Sequence, residues 1–316
     1  MELFTKIPFN EPAHHCIDYN SKVLLLGSCF SENIAKRFNY FKFQNTSNPF
    51  GILYHPKAIE TLIENAINDK AYNTSDIFFH NERWHSFDAH SDLSSITKED
   101  LLNRLRQAIS STQAYLKDAT HIFITLGTAW SYRFLETDRV VANCHKVSQH
   151  QFQKELQSVE SIIQSLEHIV ALIQAYNENA QVIFTVSPVR HIKDGFVENT
   201  QSKSHLITAI HQTIESKEKL FYFPSYEIMM DELRDYRFYA DDLVHPNTAA
   251  IQYIWEKFQT VWISEQAYKT MGLVDSVQKG LNHKPFHPDS AQHQKFLLKL
   301  EAQKAQLKKH FPHIVF

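Results

Sequence analysis

Two short segments hold the side chains whose types and spacing could do chemistry. In the first, residues 24–32, an apolar run leads directly into Gly27-Ser28-Cys29, which offers a hydroxyl and a thiol. In the second, Asp242-Leu243-Val244-His245-Pro246, a carboxylate stands three residues before an imidazole. Acyl-transfer enzymes place a nucleophile at a sharp turn from strand to helix and use an imidazole oriented by a carboxylate as the base. We therefore expect these two segments to meet at one edge of the fold.

The first segment leaves the identity of the nucleophile open between Cys29 and Ser28. A thiol at a helix N-terminus is easier to ionise because the thiolate meets the positive end of the helix dipole. We thus expect Cys29 to form a thiolate–imidazolium pair with His245, which Asp242 would orient, with Asp241 as a weaker alternative. Ser28 remains a second possibility, and a small buried cysteine without a covalent role is a third.

Composition excludes several classes of protein. The chain has 316 residues, of which 43% are hydrophobic and 13% aromatic, enough for one large core or for a core with appendages. A formal charge of −3 argues against nucleic-acid binding, which usually needs a basic excess. Three scattered cysteines do not suggest a disulfide framework, and no signal peptide or membrane-spanning run is evident. These features lead us to expect a cytoplasmic protein.

Apolar runs typical of strands alternate with helical patterns along most of the chain. We predict strands at 22–26, 41–46, 121–126, 181–186 and 219–223. We predict helices capped by Ser31, after Pro56, and over 99–116, 151–176 and 201–217, with another after Asn247. This alternation indicates an α/β fold, a three-layer α/β/α sandwich with a central parallel sheet. Functional groups in such folds gather beyond the carboxyl ends of the strands.

The domain prediction follows from the same pattern. Residues 1–260 should form one α/β catalytic domain, with an irregular insertion at about 70–98. Residues 261–316 should form a helical C-terminal extension in which Phe296, Leu300 and Leu307 share an apolar face. Lysines surround that face, so it could touch a membrane or partner, but packing on the chain's own domain is the more ordinary outcome.

The two motifs together resemble the SGNH/GDSL hydrolase superfamily and, within it, the GSCFA family, named after its N-terminal motif. Residues 27–32 are similar to the superfamily's first block, and residues 242–246 are similar to its last block, Asp-x-x-His-Pro. The resemblance extends over about residues 20–260. It implies a flavodoxin-like sandwich and an esterase or acyl-exchange activity through a covalent acyl-enzyme.

The chain departs from the superfamily pattern at three places. The superfamily's nucleophilic Ser falls on Cys29, and its neighbouring Asp falls on Ser28. The resemblance implies that the backbone N–H of Gly51 donates to the oxyanion, but the usual Asn of the third block is Ala129, whose side chain cannot donate. The groups that could replace this donor are Asn48, Thr128, Asn143 and His145.

Two further groups of polar residues have less specific readings. The spacing of His85, Asp88, His90 and Asp92 could suit a metal, but no thiolate or rigid scaffold accompanies them, so we predict no metal site. A loop that covers the substrate pocket, with Trp84 and Phe87 as walls, is the preferred reading. Arg190 could bind a carboxylate or phosphate as a bidentate fork, or form a surface ion pair.

These observations and the resemblance lead to one expected function and one alternative. The expected function is hydrolysis or transfer of a small acyl group, with a small-molecule or carbohydrate ester as substrate. No cofactor, nucleic-acid partner or membrane span is expected, and the oligomeric state is not predicted. The alternative is a binding module that retains the fold without turnover, a reading that the missing donor at Ala129 favours.

Overall fold

A parallel five-stranded sheet forms the centre of the structure, a computed structural model that describes residues 5–9, 16–215 and 217–316. The strands of the described residues are β1 (Lys22–Gly27), β2 (Gln44–Ser47), β3 (Phe78–His80), β4 (Arg83–His85), β5 (His121–Leu126), β6 (Trp130–Phe134), β7 (Arg139–Val141), β8 (Phe152–Leu156), β9 (Gln181–Val186) and β10 (Leu220–Tyr222). The central sheet has the order β10-β9-β5-β1-β2, and all its neighbours pair in parallel.

Helices cover both faces of this sheet. They are α1 (Cys29–Tyr40), α2 (Pro56–Ile67), α3 (Lys98–Asp118), α4 (Val159–Tyr176), α5 (Phe196–Ile214), α6 (Ser225–Glu227), α7 (Thr248–Trp262), α8 (Glu265–Leu281) and α9 (Ala291–His310). Leu24 and Leu26 of β1 pack into the core under α2 to α5, whereas Val23 and Leu25 pack against α1, α7 and α8. Alternate residues therefore point to opposite cores, as expected for a strand buried on both faces. The predicted α/β/α sandwich is confirmed.

The turn from β1 to α1 depends on a glycine. Gly27 has a φ of 122°, and a Cβ at this position would lie 2.1 Å from the carbonyl oxygen of Thr125 on the neighbouring strand β5. Side chains other than hydrogen are strained in this backbone region and would also collide here. Ser28 then caps α1 by accepting a hydrogen bond from the Phe30 N–H, so the helix begins at Cys29. The prediction that Ser31 caps the helix is wrong by one turn.

A second sheet, of strands β7, β6 and β8 in that order, was not predicted from the sequence. Residues 152–156 form β8 and pair antiparallel with β6, although the spacing of Phe152 and Leu156 suits a helix equally well. Ser158 accepts a hydrogen bond from Ser161 N, and α4 begins at Val159. The predicted helix over 151–176 is therefore wrong in its first residues, because strand pairing outweighs the local pattern.

The remaining elements lie close to their predicted positions. Strands β5 and β9 occupy the predicted ranges, while β2 begins at Gln44 and α5 already begins at Phe196. Residues 70–98 form short 3₁₀ turns and the hairpin β3–β4.

The C-terminal helices pack on the α1 side of the sheet. Leu300 and Leu307 of α9 are buried in the same core as α1 and α7, and Phe296 is partly buried there. Ile314, beyond the last helix, is also buried in this core, and the Phe311 ring lies 5.0 Å from that of Tyr19. Lys295, Lys299, Lys308 and Lys309 are exposed. Within the described ranges, none of the helices combines the length and apolarity needed to cross a lipid bilayer.

A pair of glycine substitutions tests the β1–α1 turn. We expect Gly27→Ala to lower the free energy of unfolding by at least about 3 kcal/mol, because the new Cβ meets the Thr125 carbonyl in a strained backbone region. Gly272→Ala is the matched control: it lies within α8 with open space around it, and should raise stability by about 0.5–1 kcal/mol. Urea unfolding of both variants measures the difference, and equal stabilities would contradict the role given to Gly27.

Candidate active site

Cys29 lies at the carboxyl edge of the central sheet. It is the first residue of α1, directly beyond the Ser28 cap, and its side chain is half-buried. The strand before it, β1, neighbours β5, and Ser28 N donates to Thr125 O over 3.0 Å. The first N–H groups of a helix have no carbonyl partner within the helix, so the Cys29 N–H is available to a ligand.

Ser28 occupies a different environment from Cys29. Its side chain is fully buried, and its Oγ accepts from Phe30 N over 3.3 Å. A hydroxyl used as a helix cap and closed off from solvent is poorly placed to attack a substrate.

The ionisation of Cys29 differs from the sequence-based expectation. Burial is the largest influence and raises the pKa of the thiol, and the nearby Glu32 carboxylate raises it further. The positive charge of Lys203 and the backbone N–H groups of Cys29 and Phe30 lower the pKa, but they do not compensate. The expected easy ionisation at the helix N-terminus is therefore wrong: desolvation exceeds the effect of the helix end.

Asp242 and His245 form a compact pair in the loop before α7. One carboxylate oxygen, Oδ1, accepts from the backbone N–H groups of Val244 and His245, each over 2.9 Å, while Oδ2 lies 2.7 Å from His245 Nδ1. These hydrogen bonds lower the pKa of Asp242 to about 2. Leu243 between them adopts a φ of 57°, which turns the chain so that both backbone N–H groups face the carboxylate. Both side chains are about half exposed.

A chain of neighbours connects His245 with the sheet edge that carries Cys29. Arg190 N donates to Val244 O over 3.2 Å, which attaches the His245 loop to the segment after β9. The charge of His245 lowers the pKa of the adjacent His191, and the charge of Lys203 lowers the pKa values of both His191 and Cys29. The two predicted segments thus lie around one group of buried residues.

Gly51 and Asn48, two predicted oxyanion donors, share one tight turn. The N–H of Gly51 already donates to Asn48 O over 2.7 Å, so it would have to leave that bond to contact a substrate. Asn48 has a φ of 43°, and its Oδ1 accepts from Gly27 N over 2.9 Å. Since that oxygen is fixed by a donor, the other amide atom must be Nδ2, and it is buried without a hydrogen-bond partner in the described structure. An unpaired amide donor therefore lies beside the β1–α1 turn.

The loop after β5, which corresponds to the superfamily's third block, is held by α5. Ser202 Oγ accepts from Ala129 N over 2.7 Å and lies 3.1 Å from Thr128 Oγ1. Thr128 Oγ1 also accepts from Trp130 N, so this predicted donor is engaged within the protein. Lys203 donates to the carbonyl oxygen of Gly127 over 2.8 Å.

Lys203 is the main site residue that sequence reasoning missed. It is 1% exposed, and burial lowers its pKa to about 7. Tyr54 was missed as well; its ring contacts that of His191 edge to face, and the pKa of Tyr54 is raised to about 12, mainly by burial and then by the charge of Cys29. No motif marks Lys203 or Tyr54, because their role depends on which helix faces which strand end.

His85 and His145 lie together but serve the surrounding loops. Their rings are 4.6 Å apart. His85 binds Ser94 Oγ and His80 O, and His145 binds Ser91 Oγ and Ser86 O, so both nitrogens of each ring have partners. Burial lowers the pKa of His145 to about 4. These contacts hold the 70–98 segment against residues 143–147.

A cavity of about 450 Å³ opens between residues 141–149 and the segments that follow β5 and β9, and no residue of the 70–98 segment lines it. Its lining combines aromatic rings with polar groups, and includes Tyr54, Thr128, Trp130, Tyr132, Asn143 and His191. His145 and Lys146 in the same wall have φ values of 50° and 60°, a backbone conformation that non-glycine residues rarely adopt.

Arg190 lies in a second cavity, of about 500 Å³, beside Asp242. Burial raises the pKa of Tyr239, which the charge of Arg190 partly opposes, and the Arg190 Nε is buried without a hydrogen-bond partner in the described residues. Among the described side chains, His, Cys, Asp and Glu form no group of three or more that could hold a metal ion.

Comparison with known proteins shows which family the chain belongs to. The model of the GSCFA family matches residues 22–258, a range that contains both motifs and the whole central sheet. The chain belongs to the GSCFA family. A second model, of the C-terminal domain of GSCFA domain proteins, matches residues 274–316. No curated protein matches the sequence.

Among solved structures, the GSCFA chain is similar to an acetyl xylan esterase, Est2A, from the rumen bacterium Butyrivibrio proteoclasticus. The two share 12% sequence identity with a TM-score of 0.36, and the match covers 84% of this chain. The chain spans 65% of the length of that esterase.

His55, which lines the 450 Å³ cavity, allows a test of the environment beside the site. Its Nδ1 accepts from Ala58 N and its Nε2 binds Val141 O, so the fold needs the neutral ring, and burial lowers the pKa of His55 to about 4. The unfolded chain takes up this proton near pH 6.5, so the contribution to stability is full above that pH and is lost towards pH 4.

The free energy of unfolding of the unmodified protein should fall between pH 7 and pH 4.5. In His55→Asn we expect this fall to be smaller by about 2–3 kcal/mol, because the buried neutral imidazole is gone. Asn retains the ability to cap α2. Urea unfolding at several pH values provides the measurement, with the exposed His150→Asn as control. An unchanged pH dependence in His55→Asn would contradict this assignment.

Proposed function

We propose that this GSCFA protein is an SGNH-type acyl ester hydrolase or acyltransferase in which Cys29 is the nucleophile and His245, oriented by Asp242, is the base. The substrate would be a small acyl ester of a polar or carbohydrate compound. The family assignment supports this class of function, and the geometry of the Asp242–His245 pair supports the mechanism.

The pair of Asp242 and His245 is the observation that carries the proposal. With Nδ1–H donated to Asp242 Oδ2 over 2.7 Å, the neutral imidazole has its acceptor lone pair on Nε2, the nitrogen that a general base uses. The carboxylate is itself held by two backbone N–H groups, which keeps it ionised and keeps the ring in one orientation. A histidine prepared in this way, in a half-exposed loop, is suited to proton transfer.

The raised pKa of Cys29 determines how the first step proceeds. Because the resting thiol is protonated, His245 must remove its proton as the sulfur attacks the ester carbonyl. The carbonyl oxygen becomes an oxyanion, to which the Cys29 N–H and the Asn48 amide would donate. Collapse of this intermediate expels the alcohol, which takes the proton from His245, and leaves an acyl thioester on Cys29.

The second step decides between hydrolysis and transfer. Water activated by His245 would release the acid, while a second hydroxyl compound would receive the acyl group and become a new ester. The 450 Å³ cavity, with Trp130 and Tyr132 beside amide and ammonium groups, offers both ring faces and hydrogen bonds to a polar compound.

Trapping of the acyl-enzyme tests this function. The protein is mixed with p-nitrophenyl acetate, quenched in acid and weighed intact. We expect one acetyl group per chain, absent in Cys29→Ala and formed about 100-fold or more slowly in His245→Ala. Ser28→Ala should still form the adduct, with a small loss of stability from the lost helix cap.

The control variant is Cys16→Ala, whose thiol contacts Val261 O and none of the proposed catalytic residues, and which should acetylate normally. Loss of the adduct in Ser28→Ala but not in Cys29→Ala would transfer the nucleophile to Ser28. A folded protein that forms no adduct would instead support the non-catalytic binding module.

A further inference from the structure

Lys203 is a buried cation at the sheet edge that the acyl-transfer steps above do not use. Its side chain is 1% exposed, and Nζ donates to Gly127 O and Ser187 O, each over 2.8 Å. Gly127 follows β5 and Ser187 follows β9, so Lys203 joins the carboxyl ends of two adjacent strands. Cys29 follows β1, the next strand in the sheet. The lysine thus lies at the same edge as the proposed nucleophile.

The hydrogen bonds of Lys203 account for two protons on its nitrogen. A neutral amine has two N–H groups, and both would be used by the two carbonyl oxygens. An ammonium has a third, and the described structure shows no hydrogen-bond acceptor for it. In a site closed to water, an unpaired charged donor is strongly unfavourable unless an anion lies nearby.

Among the anions near Lys203, the Cys29 thiolate has the largest effect on its pKa. The thiolate of Cys29 and, after it, the carboxylate of Glu227 both favour the ammonium form, against burial, which holds the pKa of Lys203 at about 7. On the other side, the Lys203 charge lowers the pKa of Cys29 and helps to keep His191 neutral. Among the described residues, four other groups face this cluster. The Glu32 carboxylate raises the pKa of Cys29, and the Cys29 charge raises that of Tyr54. The Tyr226 ring lies 5.6 Å from Lys203 Nζ, and the charge of His245 lowers the pKa of His191.

We propose that Lys203 is a positioning residue whose protonation is coupled to the ionisation of Cys29, so that the ammonium stabilises the thiolate in the otherwise desolvated site. Coupling of two sites is reciprocal: the ammonium favours the thiolate by as much as the thiolate favours the ammonium. Burial opposes both charges separately, while their attraction is large because little water screens it. Each charge therefore makes the other easier to form.

This proposal rests on the proposed function only in taking Cys29 as the nucleophile, and it can be tested without ester turnover. The rate of alkylation by iodoacetamide is followed against pH, with each cysteine quantified separately by peptide mass spectrometry. Lys203→Gln retains an amide N–H₂ for the two carbonyls but removes the charge. We expect it to slow alkylation of Cys29 about tenfold at pH 8 and to move the pH profile upward. Lys203→Arg, which keeps the charge, should restore most of the rate.

Cys144 and Lys193 provide a matched control. Burial raises the pKa of Cys144 to about 11, and the charge of Lys193 partly opposes this shift. Lys193→Met should therefore slow alkylation of Cys144 and leave Cys29 unchanged, while Lys203→Gln should do the reverse. Equal slowing of both cysteines by Lys203→Gln, or no slowing of Cys29, would overturn the proposal.

A second measurement covers the case in which the Lys203 variants do not fold. In protein labelled with ¹³C-lysine, the Lys203 Cε resonance reports its own protonation. Cys29→Ser removes the thiolate with little change of shape, so the titration of Lys203 should move to lower pH. An unchanged titration would refute the coupling. Alkylation that depends on Lys203 in a protein that forms no acyl adduct would refute the proposed function and leave the coupling intact.

Discussion

The close approach of Gly27 to the Thr125 carbonyl is the constraint on which the candidate site depends. Where β1 ends, the chain passes so near to β5 that only a hydrogen fits at the α-carbon. This contact places Ser28 under the helix as a cap and brings the Cys29 thiol to the sheet edge. The Asn48 Oδ1 also holds this turn in place, because it accepts a hydrogen bond from the Gly27 N–H. A single backbone approach thus determines which of two adjacent nucleophilic side chains faces outward.

Burial and charge oppose each other at this edge, and burial prevails in the resting state. The thiol, the Lys203 amine and the His191 imidazole are all shifted towards their neutral forms, because the site has little contact with water. Asp242 is the contrast: half exposed and bound by three N–H groups, it stays ionised. The site therefore keeps a fixed negative charge at its rim, while the thiol, amine and imidazole inside favour their neutral forms.

Patterns of short range predicted much of this molecule. The apolar runs of β5 and β9 located those strands at their observed residues, because a fully buried strand needs continuous apolar side chains. The Asp242–His245 contact followed from a separation of three residues, which one turn of chain can close. Long-range contacts are beyond such reasoning: the local pattern predicts a helix where β8 lies, because nothing in it indicates the partner strand β6. Lys203 was indistinguishable from any other lysine until α5 was seen to face the ends of two strands.

The thiol's ionisation shows a further limit of reading a site from motifs. A helix N-terminus favours an anion, and the motif correctly located Cys29 at such an end. The magnitude of desolvation, however, depends on what covers the side chain, and that covering comes from parts of the chain distant in sequence.

The position of the C-terminal segment has a consequence for how the protein is made. A ribosome releases α1 well before Leu300, Leu307 and Ile314, which belong to the core that covers one face of that helix. Helix α1 therefore cannot reach its final surroundings until this later segment has been synthesised. The Cys29 thiol stands in its mature setting only once the segment has packed.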